Sequence, residues 1–292
     1  PESHRRMTTR LVVTGTPDAL WLAARAALRR KGSQALVLPD VSLEQHGLRV
    51  DVDRLAAYSA VCGFRLGSGL PVTYPFVLAF PLHVALMARD DFPFPILGTV
   101  HLVNRTTWIR PVLVDEPLSL HVRAEGLRAH RKGQVLDLVT DLHVDGARVW
   151  HSTSTYLVRG GGDPNAPAID PPPVAALEPG PVRWRIDADT GRRYAAVSGD
   201  RNPIHLSALS ARPFGFRQAI AHGMWSYARV MAHTAARMPS AGTSTVWFRA
   251  PISLPSTVQL ATNRSGGQVA LLGTDGRTVH LVTSTDPLDD GH

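Results

Sequence analysis

The feature that most constrains the fold of this chain is an internal duplication. Residues 50–63 read VDVDRLAAYSAVCG and align without a gap with residues 186–199, which read IDADTGRRYAAVSG. A second, weaker similarity follows later in each half, between WIRP, which begins at Trp108, and WFRAP, which begins at Trp247. Because a repeated sequence builds the same structural unit again, the chain is expected to contain two similar halves. Its length of 292 residues is also typical of two domains.

Each half predicts a short helix, a long apolar helix and a run of strands. The short helices are expected over residues 50–61 and 186–197, each led by Asp residues suited to a helix N-terminus. The long helices are expected over 71–88, with a bend at Pro81, and over 221–237. Alternating apolar residues and Asp-Gly turns predict antiparallel strands over 98–108, 119–125, 134–144 and 147–159, and again over 243–248, 257–263, 268–273 and 278–285.

These patterns divide the chain into four parts. Residues 1–37 form an N-terminal extension, with a short strand at 11–15 and an amphipathic helix at 17–30. The first half covers 38–159 and the second half 182–292. Between them, residues 160–181 are rich in Gly and Pro and show no periodicity, which is typical of a linker.

Only the second half carries side chains suited to proton transfer. In the sequence YAAVSGDRNPIH, which ends at His205, a carboxylate at Asp200 precedes the imidazole by five residues. Asp and His are residue types whose pKa values can be brought toward neutral pH by burial and neighbouring charge. The alignment places Phe64 opposite Asp200 and Gly69 opposite His205. Taken singly, Gly-Asp and Asn-Pro are equally compatible with ordinary turn and capping chemistry.

The whole string resembles the signature of the MaoC-like (R)-specific enoyl-CoA hydratases, also called hydratase 2. The matching residues are Tyr194, Val197, Gly199, Asp200, Asn202, Pro203, His205 and Ala211, and IAHGM at 220–224 resembles the same family's turn into its central helix. The resemblance implies an α+β double hot-dog fold, in which two antiparallel sheets each wrap around a long central helix.

The same resemblance implies roles for individual residues. Asp200 and His205 would transfer the two protons, with Asp200 favoured as the base and His205 as the donor, although the sequence leaves the reverse assignment open. The backbone N–H near Gly223 would stabilise the thioester oxygen. The expected substrate-binding residues are Asn202, Tyr194 and His222. Of these, Asn202 would form the turn or orient a neighbouring group. No metal is expected, and no cofactor apart from coenzyme A as part of the substrate.

The expected reaction is therefore hydration of trans-2-enoyl-CoA to 3-hydroxyacyl-CoA and the reverse dehydration, in fatty acid metabolism. The partner would be an acyl-CoA or acyl-carrier-protein thioester, and the degenerate first half would make room for the acyl chain. A carrier-protein-linked dehydratase of fatty acid or polyketide synthesis remains an alternative, as does a non-catalytic acyl-binding module. A hot-dog thioesterase is disfavoured because GDxNPxH points to hydration.

Composition excludes several other classes. The net charge is +7, but all except two of the 31 basic residues are arginine and no nucleic-acid motif occurs, so an anionic ligand such as coenzyme A is a better expectation than nucleic acid. The single cysteine, Cys62, excludes an internal disulfide. The longest apolar run, 75–88, is too short for a membrane span, and no secretory signal is found, so a cytoplasmic protein is expected. A homodimer is compatible with the sequence.

Histidines outside the motif show no metal-ligand spacing along the chain and are expected to be ordinary surface or core residues. They are His101, His121, His143 and His151.

Overall fold

The computed structural model describes residues 8–19, 21–22, 36–95, 97–173 and 177–288, which form an α+β fold. The strands are β1 (Thr9–Val12), β2 (Val41–Leu48), β3 (Thr99–Trp108), β4 (Leu118–His130), β5 (Gly133–Val144), β6 (Ala147–Arg159), β7 (Glu178–Ile186), β8 (Gly242–Phe248), β9 (Ser256–Thr262), β10 (Gln268–Gly273) and β11 (Val279–Pro287). The α-helices are α1 (Val52–Cys62), α2 (Tyr74–Met87), α3 (Thr190–Ser198), α4 (Ala208–Ala211) and α5 (Gly223–Thr234).

The strand order displays the duplication directly. From the centre of the sheet outward, β3-β6-β5-β4-β2 in the first half is repeated as β8-β11-β10-β9-β7 in the second. The two halves are joined because β3 pairs antiparallel with β8, with Asn104 opposite Val246. The expected two sheets are therefore continuous, and β1 adds a parallel strand beyond β2.

Two strands were not predicted from the sequence. The first is β2, and the second is β7, which begins at Glu178 inside the segment expected to be a linker. Pro179 and Pro181 interrupt the alternating pattern there, but β7 lies at the edge of the sheet, where a residue without an N–H is tolerated. The strand expected at 11–15 is found as β1, whereas the helix expected over 17–30 falls largely outside the described residues.

The two short helices pack against each other where the halves meet. Asp51 caps α1, its carboxylate accepting a hydrogen bond of 3.0 Å from the N–H of Arg54, whereas Asp189 before α3 makes no such side-chain bond. The equivalent tyrosines of the repeat, Tyr58 and Tyr194, are both buried, with ring centroids 6.1 Å apart. The duplicated segments thus form the contact between the halves.

The long helix of the first half, α2, is apolar on nearly all sides and packs against β4 and β5. Pro75 lies in its first turn and Pro81 in its interior. Its counterpart α5 packs against α1 and β11. Within the described ranges, no helix combines the length and the apolar character that crossing a membrane would require.

Candidate active site

The loop after α3 carries the two predicted proton-transfer residues. α3 ends at Gly199, whose φ of 81° lies in the left-handed region that glycine adopts without strain, and the chain turns there into Asp200. Asn202 then caps a single 3₁₀ turn, Pro203–His205, its side-chain oxygen accepting a bond of 3.4 Å from the N–H of Ile204. The backbone N–H of Asn202 donates to Asp200 Oδ1 at 3.2 Å. Asn202 therefore holds the loop that joins the two residues.

This loop brings Asp200 and His205 together with His222, which precedes α5. One carboxylate oxygen of Asp200 and one nitrogen of each imidazole lie within 4.8 Å of one another. The two imidazoles are stacked, with ring centroids 3.7 Å apart. His205 and His222 are buried, whereas the side chain of Asp200 is 30% exposed, so the carboxylate faces the open side of the site.

Hydrogen bonds to the backbone fix the tautomer of each imidazole. Nδ1 of His205 lies 2.8 Å from the carbonyl oxygen of Ile220, and a carbonyl can only accept, so Nδ1 carries the proton and Nε2 of the neutral ring carries the lone pair. Burial lowers the pKa of His205 below its usual value, against the opposing effect of the Asp200 carboxylate. His205 is therefore a neutral imidazole near pH 7.

His222 holds the loop in place. Its Nε2 donates to the carbonyl oxygen of Asp200 at 2.9 Å, and burial followed by the neighbouring His205 lowers its pKa. Its Nδ1 is buried and has no hydrogen-bond partner among the described residues. Tyr194 packs on the same ring at a centroid distance of 4.9 Å and is buried. Nε2 of His222, the nitrogen nearer to the Asp200 carboxylate, therefore carries a proton and has no lone pair to offer.

Gly223 is the first residue of α5, so its N–H is among the groups that have no partner inside the helix. His222, at the N-cap, makes no side-chain capping bond to these N–H groups. A Cβ placed at Gly223 would lie 3.0 Å from the ring of Phe248. The Phe248 ring thus leaves little room for a side chain at the start of the helix, a constraint that the sequence did not show.

A cavity of about 670 Å³ opens onto this cluster. Asp200, Asn202, His205, His222 and Gly223 all line it, as does Tyr194. The part of its lining that comes from α2, in the first half, is apolar except for His83: Phe76, Val77, Phe80, Val84 and Met87. The proton-transfer residues of one half therefore face a hydrophobic wall built by the other.

His101 and Tyr156 are among the polar residues of the cavity wall that sequence reasoning missed. Their rings stack with centroids 4.4 Å apart, and His101 lies 5.0 Å from the ring of Phe248. Burial lowers the pKa of His101 to about 3 and raises that of Tyr156, so both are neutral near pH 7. No local signal could have placed them there, because only the pairing of β3 with β8 brings this part of the first half to the site.

In the first half, the positions equivalent to the two proton-transfer residues carry side chains that cannot transfer a proton. Phe64, opposite Asp200 in the repeat, stacks on Tyr58 with ring centroids 6.2 Å apart, and Gly69, opposite His205, forms a lone bridge with Leu113. Pro75, in the first turn of α2, has no backbone N–H, so it cannot donate a hydrogen bond as Gly223 can at the start of α5.

The known proteins to which the chain is similar include two dehydratases. Residues 176–286 match the family described as the MaoC like domain. The chain is 41% identical over 231 residues to the 3-hydroxyacyl-thioester dehydratase X of Mycobacterium tuberculosis, an alignment that covers 76% of this chain and 80% of that protein. A shorter alignment of 73 residues, 41% identical, covers 23% of this chain and 45% of the 3-hydroxybutyryl-CoA dehydratase of Methylorubrum extorquens.

Solved structures show the same fold. The crystal structure of HtdX of Mycobacterium tuberculosis superimposes with a TM-score of 0.75 at 36% identity, covering 85% of this chain and 100% of that one. A second Mycobacterium tuberculosis protein, described as having a double hotdog fold, gives a TM-score of 0.52 at 12% identity over 89% of this chain and 97% of its own. The double hot-dog architecture predicted from the sequence is confirmed.

Proposed function

The chain belongs to the MaoC-like dehydratase family, and we propose that this hydro-lyase adds water with (R) specificity to trans-2-enoyl-CoA and catalyses the reverse dehydration of 3-hydroxyacyl-CoA. The observation that carries the proposal is the convergence of Asp200 and His205 at the open end of an apolar cavity. Hydration of a conjugated thioester requires a base for water, a proton for the α-carbon and a donor for the thioester oxygen.

Water is held between two acceptors. The Asp200 carboxylate and Nε2 of neutral His205 can each accept a hydrogen bond from one hydrogen of a water molecule, which directs its oxygen lone pair toward the β-carbon. As the new C–O bond forms, Asp200 and His205 together take one proton from the water. They then return this proton to the α-carbon. His205 can donate only after it has accepted, because its other nitrogen is bonded to Ile220. The sequence favoured Asp200 as the base and His205 as the donor, and in this scheme His205 donates the proton that it has first accepted.

Negative charge develops on the thioester oxygen as water adds. The N–H of Gly223, at the positive end of the α5 dipole, is the donor that supports this charge. The uncapped start of the helix leaves that N–H available to a substrate oxygen.

The acyl chain lies along α2. The apolar wall of the cavity extends over three turns of this helix, from Phe76 to Met87, so a chain of many methylene groups can be buried against it. Near the reacting carbons the wall is formed by Phe80, whose ring would lie 3.9 Å from a Cβ on Gly199, beside Asp200.

The anionic part of the substrate meets an arginine-rich loop. Residues 201–218 contain Arg201, Arg212 and Arg217, all exposed, and no acidic residue. Arg201 lines the cavity, and Arg212 and Arg217 line a neighbouring hollow of about 370 Å³ that shares Phe216 with it. Guanidinium groups bind phosphate in a two-pronged geometry, so this loop favours coenzyme A. A carrier-protein thioester remains the second candidate, since its phosphopantetheine arm would pass the same mouth.

The test uses purified protein and trans-2-enoyl-CoA substrates of four to twelve carbons, with loss of the conjugated-thioester absorbance as the readout and chiral analysis of the 3-hydroxyacyl product. We expect turnover to the (R) product, lowered by about two to four powers of ten in His205→Gln and retained in His233→Ala, which replaces an exposed imidazole at the end of α5. Absence of hydration with both CoA and carrier-protein substrates would refute the proposal.

A second comparison separates the two carriers. Arg212→Gln with Arg217→Gln should raise KM for the CoA substrate with little change in kcat, whereas Arg277→Gln, on the turn before β11, should change neither. If the carrier-protein substrate is preferred and the arginine changes leave KM for CoA unaltered, the CoA assignment is wrong.

A further inference from the structure

A second cluster of imidazoles and carboxylates lies on the first half, away from the cavity. Glu44 on β2 is directly opposite His121 on β4 in the sheet register. Their neighbours Leu43 and Leu120 belong to the hydrophobic core, and successive strand residues alternate between faces. Glu44 and His121 therefore share the face of the sheet that points away from the core.

A second imidazole lies on the same face of the sheet. His46 is two residues beyond Glu44 on β2, and alternate residues of a strand share a face. Its ring lies 5.6 Å from that of His121. The register between β2 and β4 shifts directly after Gln45, where Gly47 has a φ of 67°.

The distances around the carboxylate are those of a nearly assembled ligand set. Nε2 of His46 lies 3.4 Å from Glu44 Oε2, and Nε2 of His121 lies 3.9 Å from the same oxygen. The three ligand atoms lie within 4.8 Å of one another. Ligand atoms around a tetrahedral zinc ion are about 3.4 Å apart, given metal–ligand bonds of about 2.1 Å. Arg10 approaches the other oxygen, Oε1, at 3.5 Å, so it leaves Oε2 to the imidazoles.

One further observation fits a metal ligand set. The ring of His143 lies 4.5 Å from that of His121, and its Nδ1 is buried without a hydrogen-bond partner among the described residues. Asp141, close by, is already engaged by His151 at 2.8 Å and by Arg123 at 2.8 Å, so it is not counted as a ligand.

We propose that Glu44, His46 and His121 bind one divalent transition-metal ion, with His143 beside the fourth position. Two imidazoles and one carboxylate suit Zn²⁺ and its neighbours rather than Mg²⁺ or Ca²⁺, which prefer oxygen ligands alone. The ion would tie the bulged end of β2 to β4. Spacing along the chain does not indicate this site, because its ligands come together across two strands.

The test is a Zn²⁺ titration of chelator-treated, tag-free full-length protein against a competing chromogenic chelator. We expect one ion per chain, with affinity at least about tenfold weaker in His46→Ala and in His121→Ala. His46 is 47% exposed, so its replacement leaves packing intact. Zn²⁺ should also raise the unfolding temperature of the wild type, but not that of His46→Ala.

Two control variants decide where the ion sits. His205→Gln removes the other cluster that could bind metal, and His233→Ala removes an exposed imidazole elsewhere. Both should bind Zn²⁺ as the wild type does. Loss of binding in His205→Gln with retention in His46→Ala would place the ion in the active site and overturn the proposal. Equal binding by all variants, or no stoichiometric binding at all, would overturn it as well.

Discussion

Chain-length selection can be tested at one residue of the hydrophobic wall, Val84 on α2. Phe80 lies beside the catalytic loop, and Val84 is four residues further along the helix, or about 6 Å at 1.5 Å per residue. An extended chain advances about 1.2 Å per bond, so an acyl chain reaches Val84 about five bonds beyond the reacting carbons. A four-carbon substrate stops short of this position, and an eight-carbon substrate just reaches it.

Replacement of Val84 by Phe should therefore block only the long substrates. Each methylene denied its apolar contact loses about 0.8 kcal/mol. A twelve-carbon chain extends about four methylenes past Val84 and should lose about 3 kcal/mol, which corresponds to about 200-fold in kcat/KM. Crotonyl-CoA should be hydrated at close to the wild-type rate.

The assay is kcat/KM for enoyl-CoA substrates of four, eight and twelve carbons, measured for the wild type, Val84→Phe and Ala85→Phe. Ala85 is on the same helix but does not line the cavity, so its replacement controls for general strain in α2. If Val84→Phe lowers kcat/KM by one common factor for all lengths, α2 is a scaffold and the acyl chain does not lie along it.

Three further perturbations test the site and its surroundings. Asp200→Asn and His205→Gln should each lower turnover by about two to four powers of ten with the fold retained by circular dichroism, and near-normal turnover of either would remove it from the mechanism. Gly223→Val should cost about 2.7 to 4 kcal/mol of transition-state stabilisation, because its Cβ would press on the Phe248 ring at 3.0 Å and displace the N–H. Normal hydration of crotonyl-CoA by this variant would contradict the oxyanion role. Burial lowers the pKa of His83 from its usual value of 6.5 to about 3. Between these two pH values the unfolded chain binds a proton at His83 that the folded chain does not bind. The free energy of unfolding should therefore fall by about 1.4 kcal/mol for each pH unit from pH 6.5 down to pH 3. Denaturant unfolding across that range should show a shallower slope for His83→Gln, and an unchanged slope would contradict the assignment.

The sequence predicted the parts of this molecule that depend on local pattern. The gapless repeat around Tyr58 and Tyr194 predicted two similar halves, and the mirrored strand order shows why it could, since each copy of the repeat forms the same helix in its half. The spacing of Asp200 and His205 was sufficient to place both on one loop, because the turn at Gly199 and the 3₁₀ turn after Asn202 are local structures.

What the sequence could not supply depends on contacts between distant segments. The cavity wall at His101 requires the pairing of β3 with β8, and the reason for glycine at position 223 is the ring of Phe248. The cluster around Glu44 depends on the pairing of β2 with β4, which a local pattern does not reveal. β7 escaped prediction because prolines are acceptable at a sheet edge that the sequence does not identify as one.

The continuous ladder between β3 and β8 also affects how such an enzyme can change over generations. In a symmetric pair of identical subunits every substitution appears in both copies, so a residue that widens one hydrophobic wall also alters the opposing proton-transfer loop. Here the two copies are encoded separately yet share a hydrogen-bonded seam, with Asn104 opposite Val246. Substitutions at Val84 can accumulate without altering Asp200. Because of the duplication, the residues that select the substrate and the residues that transfer protons can change independently. The hydrogen bonds between β3 and β8 keep the two halves in one geometry.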